Sequence, residues 1–179
     1  MAKKKTIRTI PQERAPVREQ DPRERAKNFK EVVYGFRLED ALHEAERCLL
    51  CPDPACVEGC PVSIDIPGFI QKISAKDLRG AYDVITGANL LPAICGRVCP
   101  QETQCEGVCP VGEALEPVAI GRLERFVGDT AIAQGWTNIP YIEPNDFRIG
   151  IVGSGPAGMA CAADMAKAGC DVTVYEAFH

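Results

Sequence analysis

The sequence predicts two domains of different class: an all-α domain over residues 31–136 and the first βαβ unit of an α/β, Rossmann-like domain over residues 148–179. In the first domain, apolar residues recur at helical spacing. The same domain holds eight of the ten cysteines, in two short runs. The second domain opens with a short apolar strand, a glycine-rich turn and a helical stretch, an order that is typical of dinucleotide-binding domains.

Residues 1–30 are predicted to form an extended N-terminal tail, because Pro11, Pro16 and Pro22 interrupt any helix. This tail holds ten Lys/Arg and four Asp/Glu, a charge of +6; the remainder carries −11, which gives the net charge of −5. A basic arm can bind nucleic acid, but prolines and acids interrupt this one and Phe29 is its single aromatic residue. We therefore expect a solvated tail lying along a neighbouring domain or partner, and no nucleic-acid binding.

Four helices are predicted in the all-α domain from apolar periodicity and from residues that favour helix starts. Pro67 suits the first turn of the second helix, and Asp77 can cap the third. Pro117 is predicted to open the fourth. The expected ranges are about 37–48, 67–75, 78–85 and 117–133.

The second domain is predicted to contain a buried strand at 148–152, a helix that closes near Gly169, and a second strand at 171–175. Residues 137–147 hold two prolines and show no periodicity, which indicates a linker. One strand–helix–strand unit cannot bury its own apolar faces. We therefore expect the chain to be a fragment of a longer protein, truncated inside its second domain.

The sequence also limits where the protein works. No run of eighteen apolar residues occurs, so no membrane-spanning helix is expected. The N-terminus lacks the apolar core of a signal peptide. A cytoplasmic location follows, where reducing conditions disfavour disulfides, and metal binding or redox chemistry is the preferred interpretation of the ten cysteines.

The two cysteine runs have distinctive spacings. Cys48 to Pro61 reads Cys-x2-Cys-x4-Cys-x3-Cys-Pro, and Cys95 to Pro110 reads Cys-x3-Cys-Pro-x4-Cys-x3-Cys-Pro. Thiolates suit the iron of iron–sulfur clusters, and in two-cluster ferredoxins the cysteine before proline binds the other cluster. Structural zinc is the rival, but its paired Cys-x2-Cys knuckles are represented here only once. We therefore predict two iron–sulfur clusters whose ligands cross between the runs.

Glu124 is an acidic residue in an apolar position. It lies four residues after Ile120 and three before Val127, within the apolar stripe of the fourth helix. A buried carboxylate is costly unless it is paired or bound to metal. A salt bridge to an arginine elsewhere and a role as cluster ligand are both compatible with this position.

A dinucleotide fingerprint follows the first predicted strand. It reads Gly153-Ser154-Gly155-Pro156-Ala157-Gly158. The first glycine of such a motif permits the tight turn, the second lets the backbone approach a pyrophosphate, and the third allows close packing of helix and strand. Glu176 ends the second strand, where an acid binds a ribose hydroxyl. These features do not separate FAD from NAD(P).

For five further residues the sequence indicates no functional site. Cys161 and Cys170 are predicted to be small buried hydrophobic residues. Trp136, His43 and His179 have no partners in sequence that indicate a site.

Four segments of the chain resemble the N-terminal part of the NADPH-dependent glutamate synthase small (beta) subunit family. They are EQDPRERAKNFKEVVYGF, RCLLC…CVEGCPVSIDIPGFI, ICGRVCPQETQCEGVC and GIVGSGPAGMACA. The family includes the homotetrameric type and the related subunit of NADH-dependent ferredoxin:NADP oxidoreductase, and dihydropyrimidine dehydrogenase is a more distant relative. The resemblance implies an alpha-helical ferredoxin-like domain with two [4Fe–4S] clusters, followed by a domain that binds FAD at the glycine motif and NADPH further along.

The resemblance also implies ligands residue by residue. One cluster would be held by Cys48, Cys51, Cys56 and Cys109. The other would be held by Cys60, Cys99 and Cys105. In dihydropyrimidine dehydrogenase a glutamine on the following helix is the remaining ligand, and alignment of its Ile-Gly-Gly-Leu-Gln places Glu124 there. Cys95 is the competing ligand, and otherwise a buried free thiol.

By the same resemblance, NADPH would reduce FAD and electrons would pass singly through the clusters. The destination in glutamate synthase is a partner flavin that reduces 2-iminoglutarate on the large subunit. The expected partners are that subunit, another flavin or iron–sulfur subunit, or a second copy of the chain. The chain alone would be inactive as an enzyme. The alternatives are a subunit of NADH-dependent ferredoxin:NADP oxidoreductase and a zinc-stapled interaction module without redox function.

Overall fold

A computed structural model of the protein describes residues 9–138 and 141–178. Within these residues the chain divides after Trp136 into two compact units. The first unit is helical, and the second contains a two-stranded parallel sheet. The predicted succession of a helical domain and the start of a Rossmann-like domain is therefore confirmed. The predicted linker lies in part outside the described residues, at positions 139 and 140.

The described part of the first unit contains seven α-helices and two short 3₁₀ helices. The α-helices are α1 (Pro22–Arg25), α2 (Leu38–Glu46), α3 (Ala55–Glu58), α4 (Ile66–Ser74), α5 (Leu78–Thr86), α6 (Pro92–Val98) and α7 (Ile120–Ala133). The 3₁₀ helices are Gln101–Thr103 and Pro110–Glu113. None of the described helices combines the length and apolar character needed to cross a membrane.

Capping explains where the central helices begin. The Asp65 carboxylate accepts a hydrogen bond from the Gly68 amide at 3.0 Å, and Asp77 accepts one from Gly80 at 2.9 Å. Each bond satisfies an amide that has no partner inside its own helix. The predicted helices at 67–75 and 78–85 are confirmed as α4 and α5, and the one at 37–48 is confirmed as α2. Their apolar faces pack with that of α7 into one core, which includes Phe69, Ile70, Ile73, Ala81, Ile85, Leu123 and Val127.

Helix α7 starts three residues later than predicted, at Ile120 instead of Pro117. The carbonyl of Pro117 accepts a hydrogen bond from Arg47 Nη1 at 3.2 Å. The Gly121 amide, which would close a helical turn with that carbonyl, donates instead to Glu106 Oε1 at 3.1 Å. Side chains from distant segments therefore replace the first turn of the predicted helix.

The described part of the N-terminal segment packs against the helices, whereas the sequence suggested a solvated tail that lies along a neighbouring domain or partner. Ala15 is 2 % exposed, and its amide donates to Glu44 Oε2 at 2.7 Å. Glu19 and Val33 form an antiparallel bridge. The short helix α1 was not predicted; Pro22 occupies its first turn, where proline is tolerated, and the Asp21 side chain caps its start.

Two glycines bring α6 and α7 unusually close. A Cβ placed on Gly128 would lie 2.5 Å from the backbone nitrogen of Ala93, and a Cβ on Gly96 would lie 2.5 Å from that of Arg125. Both distances are shorter than carbon and nitrogen atoms tolerate without displacement of one backbone. The crossing therefore requires glycine on each helix, and it fixes α6 beside Glu124.

We expect Gly128→Ala to lower the free energy of unfolding by about 1–3 kcal/mol, because the added methyl group pushes the two backbones apart. Gly112→Ala is the matched control, since a Cβ there meets Pro117 Cβ at an ordinary 3.5 Å. The control should change stability by less than about 0.5 kcal/mol. Guanidinium titration of both variants under anaerobic conditions makes the comparison. Equal stability of the two variants would show that α6 and α7 do not depend on this contact.

The second unit contains β1 (Arg148–Val152), α8 (Pro156–Lys167) and β2 (Asp171–Tyr175). The strands pair in parallel, with Arg148 opposite Asp171 and Val152 opposite Tyr175. Both strand ranges agree with the prediction. The expectation that β1 is buried is wrong for the described residues, since Val152 is 91 % exposed. With a single helix, α8, only one of the two faces of this sheet is covered.

Candidate metal centres and nucleotide-binding loop

The structure brings together four cysteines from both runs in one pocket. Cys48, Cys51, Cys56 and Cys109 line it. Helix α2 ends just before Cys48, α3 carries Cys56, and Cys109 precedes the second 3₁₀ helix. The pocket is partly open to solvent. Its other walls are apolar, formed by Leu49, Pro54, Ile66, Pro67, Ile70, Pro110, Val111, Val118 and Ile120.

The electrostatics of this group show how closely the thiols act on one another. Burial, followed by the charges of Cys48, Cys109 and Cys51 in that order, raises the pKa of Cys56 to about 11. Four thiolates without a cation would repel each other in such a pocket. A metal supplies the missing positive charge and takes cysteine as thiolate. The donor set therefore fits a thiophilic metal group.

A second group gathers around Cys60, Cys99 and Cys105, again from both runs. Burial, followed by the charge of Cys95 and a hydrogen bond to it, raises the pKa of Cys99 to about 11; Glu124 and Cys60 also contribute. Burial and then Glu106 raise the pKa of Cys105 to about 12, with smaller contributions from Cys60 and Glu124. The five predicted members of this group, three cysteines with Glu124 and Cys95, thus occupy one neighbourhood.

Glu124 is buried on α7, as the sequence predicted, with 7 % of its surface exposed. Burial raises the pKa of its carboxyl group to about 7, although a hydrogen bond from Asn89 lowers it. Asn89 Nδ2 donates to Glu124 Oε1 at 2.6 Å. Among the described residues no lysine or arginine forms a salt bridge with Glu124. The salt-bridge interpretation therefore finds no support here, and the fit as a ligand remains.

Asn89 was missed by the sequence analysis. It lies after the end of α5, and it is 8 % exposed. Its amide contacts both Glu124 and Cys95. No motif or spacing marks this residue, because its contacts arise only when α5, α6 and α7 pack together.

None of the ten cysteines forms a disulfide. Within the described ranges, no three His, Cys, Asp or Glu side chains converge as the ligands of one metal ion do. The first cysteine group is accordingly defined by the pocket that it lines, and the second by the mutual electrostatic effects of its members.

The glycine-rich loop has the tight turn and the close packing that its sequence predicted. Gly153 adopts φ +99°, a conformation that glycine tolerates best. A Cβ on Gly158 would lie 2.1 Å from the Gly153 carbonyl oxygen. Gly155, the residue before α8, has open space where its Cβ would be. The backbone can thus approach a phosphate group at the N-terminus of α8.

Glu176 reaches back to this loop. Its Oε2 accepts hydrogen bonds from the Ser154 amide at 2.8 Å and from Ser154 Oγ at 2.7 Å. Its Oε1 accepts from the amides of Ala177 and Phe178. The hydrogen bond from the Ser154 side chain is the main reason that the pKa of Glu176 falls to about 2. Backbone hydrogen bonds add to the effect. The carboxylate therefore braces the loop; ribose binding by it stays a prediction.

The remaining predictions have mixed outcomes. Cys161 is exposed, so its assignment as a buried residue is wrong; the buried residue of α8 is its neighbour Ala162. Cys170 is half-buried beside Asn145. Trp136 packs against Tyr82 at 6.0 Å between ring centroids, and His43 contacts the Glu13 carbonyl. His179 lies outside the described residues.

Comparison with known families defines the class of this protein. Residues 25–136, more than half of the chain, match the family described as dihydropyrimidine dehydrogenase domain II, 4Fe-4S cluster. Residues 151–178 match the NAD(P)-binding Rossmann-like domain. The chain belongs to the iron–sulfur family defined by the first match.

Individual relatives show which members of that class the chain is similar to. The glutamate synthase [NADPH] small chain of Halomonas elongata is 37 % identical over 165 residues, 89 % of this chain and 35 % of that protein. The corresponding chain of Azospirillum brasilense is 38 % identical, over 87 % of this chain and 33 % of that one. The NAD-dependent dihydropyrimidine dehydrogenase subunit PreT of Escherichia coli is 39 % identical, over 82 % and 35 %.

This chain thus spans about a third of the length of the curated relatives it matches. The resemblance to the N-terminal part of the glutamate synthase small-subunit family is confirmed. The chain contains an iron–sulfur domain of this family, followed by a segment that matches the NAD(P)-binding, Rossmann-like domain.

Proposed function

We propose that this chain is the electron-transfer module of an NADPH-dependent oxidoreductase of the glutamate synthase small-subunit type, carrying two [4Fe–4S] clusters in an alpha-helical ferredoxin-like domain. The observation that carries the proposal is the pairing of the two cysteine runs. Each of the two groups takes thiols from both runs, as in the crossed arrangement of two-cluster ferredoxins.

The first cluster would be held by the four cysteines of the apolar pocket, Cys48, Cys51, Cys56 and Cys109. Two features support a cluster in this pocket: four thiols line it together, and its other walls carry no charged side chains. Low polarity around thiolates strengthens their electrostatic attraction to a cation. These residues would also exclude water from most of the site.

The second cluster would be held by Cys60, Cys99, Cys105 and Glu124. The support is the mutual influence of these four groups and the burial of the carboxylate without a cationic partner among the described residues. A carboxylate in place of the fourth thiolate would make the two clusters chemically different. The chain would then present two unequal steps along one electron path.

Iron–sulfur clusters supply one-electron chemistry when bound. The protein's own contribution is to fix two such groups within one small core, because Cys60 and Cys109 each reach across to the opposite run. Gly155 and the N-terminus of α8 would bind the pyrophosphate of FAD, with Glu176 bracing the loop through Ser154. The NADPH site would lie outside this chain.

The names of the relatives support a large glutamate synthase subunit as partner. A second candidate function is the corresponding subunit of a dihydropyrimidine dehydrogenase. The family match and the PreT relative favour it. An assay discriminates between these two functions. NADPH or NADH reduces the complete oxidoreductase, and the transfer of electrons to each of the two partner subunits is then measured.

Anaerobic purification tests the redox role. We expect brown protein whose visible absorbance bleaches with dithionite and returns on addition of a one-electron oxidant. Aerobic loss of clusters is controlled by anaerobic reconstitution with iron and sulfide before the assay. A colourless protein that binds zinc and remains redox-silent after reconstitution would replace the electron-transfer role with a zinc-stapled interaction module.

Glu124→Ala should alter the electron paramagnetic resonance (EPR) signal of one reduced cluster and leave the other unchanged, because Glu124 would bind only the second cluster. Cys95→Ser should leave both signals intact. The two substitutions lie in the same neighbourhood, so each serves as the control for the other. An unchanged spectrum in Glu124→Ala would remove Glu124 from the ligand set, and loss of a cluster in Cys95→Ser would assign the position to Cys95.

A further inference from the structure

One buried amide stands between the two groups that compete for the eighth ligand position. Asn89 Nδ2 donates to Glu124 Oε1 at 2.6 Å. On its other side, Asn89 Oδ1 accepts from Cys95 Sγ at 3.6 Å. Asn89 is itself 8 % exposed and is anchored by its own backbone amide, which donates to the Ile85 carbonyl at 2.8 Å. The side chain therefore has little freedom to turn.

A third contact fixes which end of the amide faces which group. The backbone amide of Leu91 donates to Asn89 Oδ1 at 2.9 Å. A backbone N–H can only donate, so the oxygen of the Asn89 side chain must point toward Leu91. The NH₂ group must then point toward Glu124. The orientation rests on this hydrogen-bond pattern, which would be broken if the amide were rotated by half a turn.

The fixed amide treats its two neighbours in opposite ways. Toward Glu124 it offers a donor, which holds one carboxylate oxygen and leaves the second available for coordination. Toward Cys95 it offers only the acceptor Oδ1, which lies 3.6 Å from the sulfur and occupies one side of it. Asn89 thus holds the carboxylate in place and offers a sulfur ligand at position 95 no hydrogen-bond donor.

We propose that Asn89 is a positioning residue that assigns the eighth ligand of the two clusters, selecting the carboxylate of Glu124 over the sulfur of Cys95. The inference rests on the proposed function, since it needs a second cluster at this site. It goes further by naming a side chain that touches neither iron nor sulfide, yet determines which group completes the cluster.

Two substitutions at position 89 test this role in the full chain, reconstituted anaerobically. Asn89→Leu matches the shape of asparagine and removes both hydrogen-bonding ends. Asn89→Asp keeps an acceptor toward Leu91 and Cys95 but, as a carboxylate, has no hydrogen for Glu124. Each is compared with the unsubstituted chain and combined with Cys95→Ser, and EPR spectra and iron content are recorded.

We expect both variants to shift the EPR signal of the second cluster while the signal of the first stays unchanged, which also shows that the fold is intact. Cys95→Ser should be silent in the unsubstituted chain but should lower iron content by up to half in Asn89→Leu, where Cys95 replaces Glu124. If the Asn89→Leu variant binds neither cluster, the EPR signal of the second cluster in the Asn89→Asp variant provides the test. Unshifted signals in the loaded variants, with Cys95→Ser silent in every background, would overturn the assignment.

Failure of this inference is separable from failure of the proposed function. If the unsubstituted chain holds two clusters and Glu124→Ala changes one of them, the ligand set stands whatever Asn89 does. Silence at position 89 would then overturn the role of Asn89 alone. If the unsubstituted chain holds no clusters, the electron-transfer proposal fails first.

Discussion

Cys109→Ser should abolish the first cluster and remove half of the bound iron, although Cys109 belongs to the second cysteine run. The reason is that Cys109 lines the same pocket as Cys48, Cys51 and Cys56. Cys60→Ser should do the reverse and remove the second cluster. Iron and acid-labile sulfide analysis, with EPR spectra of the reduced proteins, measures both effects.

The matched control is Cys161→Ser, an exposed cysteine in the second unit. It should leave iron content and both signals unchanged. If the ligands did not cross, Cys60→Ser would damage the same cluster as Cys48→Ser, and Cys109→Ser the same cluster as Cys99→Ser. That pattern would contradict the shared core of the two runs.

Arg47→Met should lower the free energy of unfolding by about 3–5 kcal/mol, because it leaves the Glu44 carboxylate buried without its cation. Both side chains are 0 % exposed, and Arg47 Nη1 lies 2.7 Å from Glu44 Oε1. The same guanidinium donates to the carbonyls of Pro11, Glu116 and Pro117. Unfolding in guanidinium chloride under anaerobic conditions measures the change in the free energy of unfolding.

The exposed pair Lys27–Glu24 provides the control, with its side chains 68 % and 66 % exposed. Lys27→Met should cost less than about 1 kcal/mol. The double variant Glu44→Gln, Arg47→Met should be more stable than Arg47→Met alone, since it removes the unpaired charge. A loss below about 1 kcal/mol in Arg47→Met would show that this buried network does not hold the helical unit together.

This network also explains why part of the fold escaped prediction. Glu44 accepts hydrogen bonds from the amides of Ala15 and Ala119. It thereby joins the N-terminal segment and the start of α7 to α2. Periodicity and helix-start residues are local signals, so they located α4 through Pro67 and α5 through Asp77. Local signals do not predict which distant carbonyl groups will accept hydrogen bonds from a buried arginine.

The candidate site divides in the same way. The cysteine spacing and the apolar stripe that contains Glu124 are visible in sequence. In the structure Cys48, Cys51, Cys56 and Cys109 line one pocket, and Cys60, Cys95 and Glu124 affect the pKa of Cys99. Their roles as ligands stay a prediction. Asn89 has no such signature, because its role depends on the packing of α6 against α7 through Gly96 and Gly128. The geometry around a ligand is therefore harder to predict than the ligand itself.

Native mass spectrometry of anaerobically purified protein tests the central claim most directly, since it weighs the inorganic content of the intact chain. We predict a mass increase of two Fe₄S₄ units on the unsubstituted chain, falling to one unit in Cys109→Ser. A chain that carried zinc, or whose cysteines had paired as disulfides, would contradict the account.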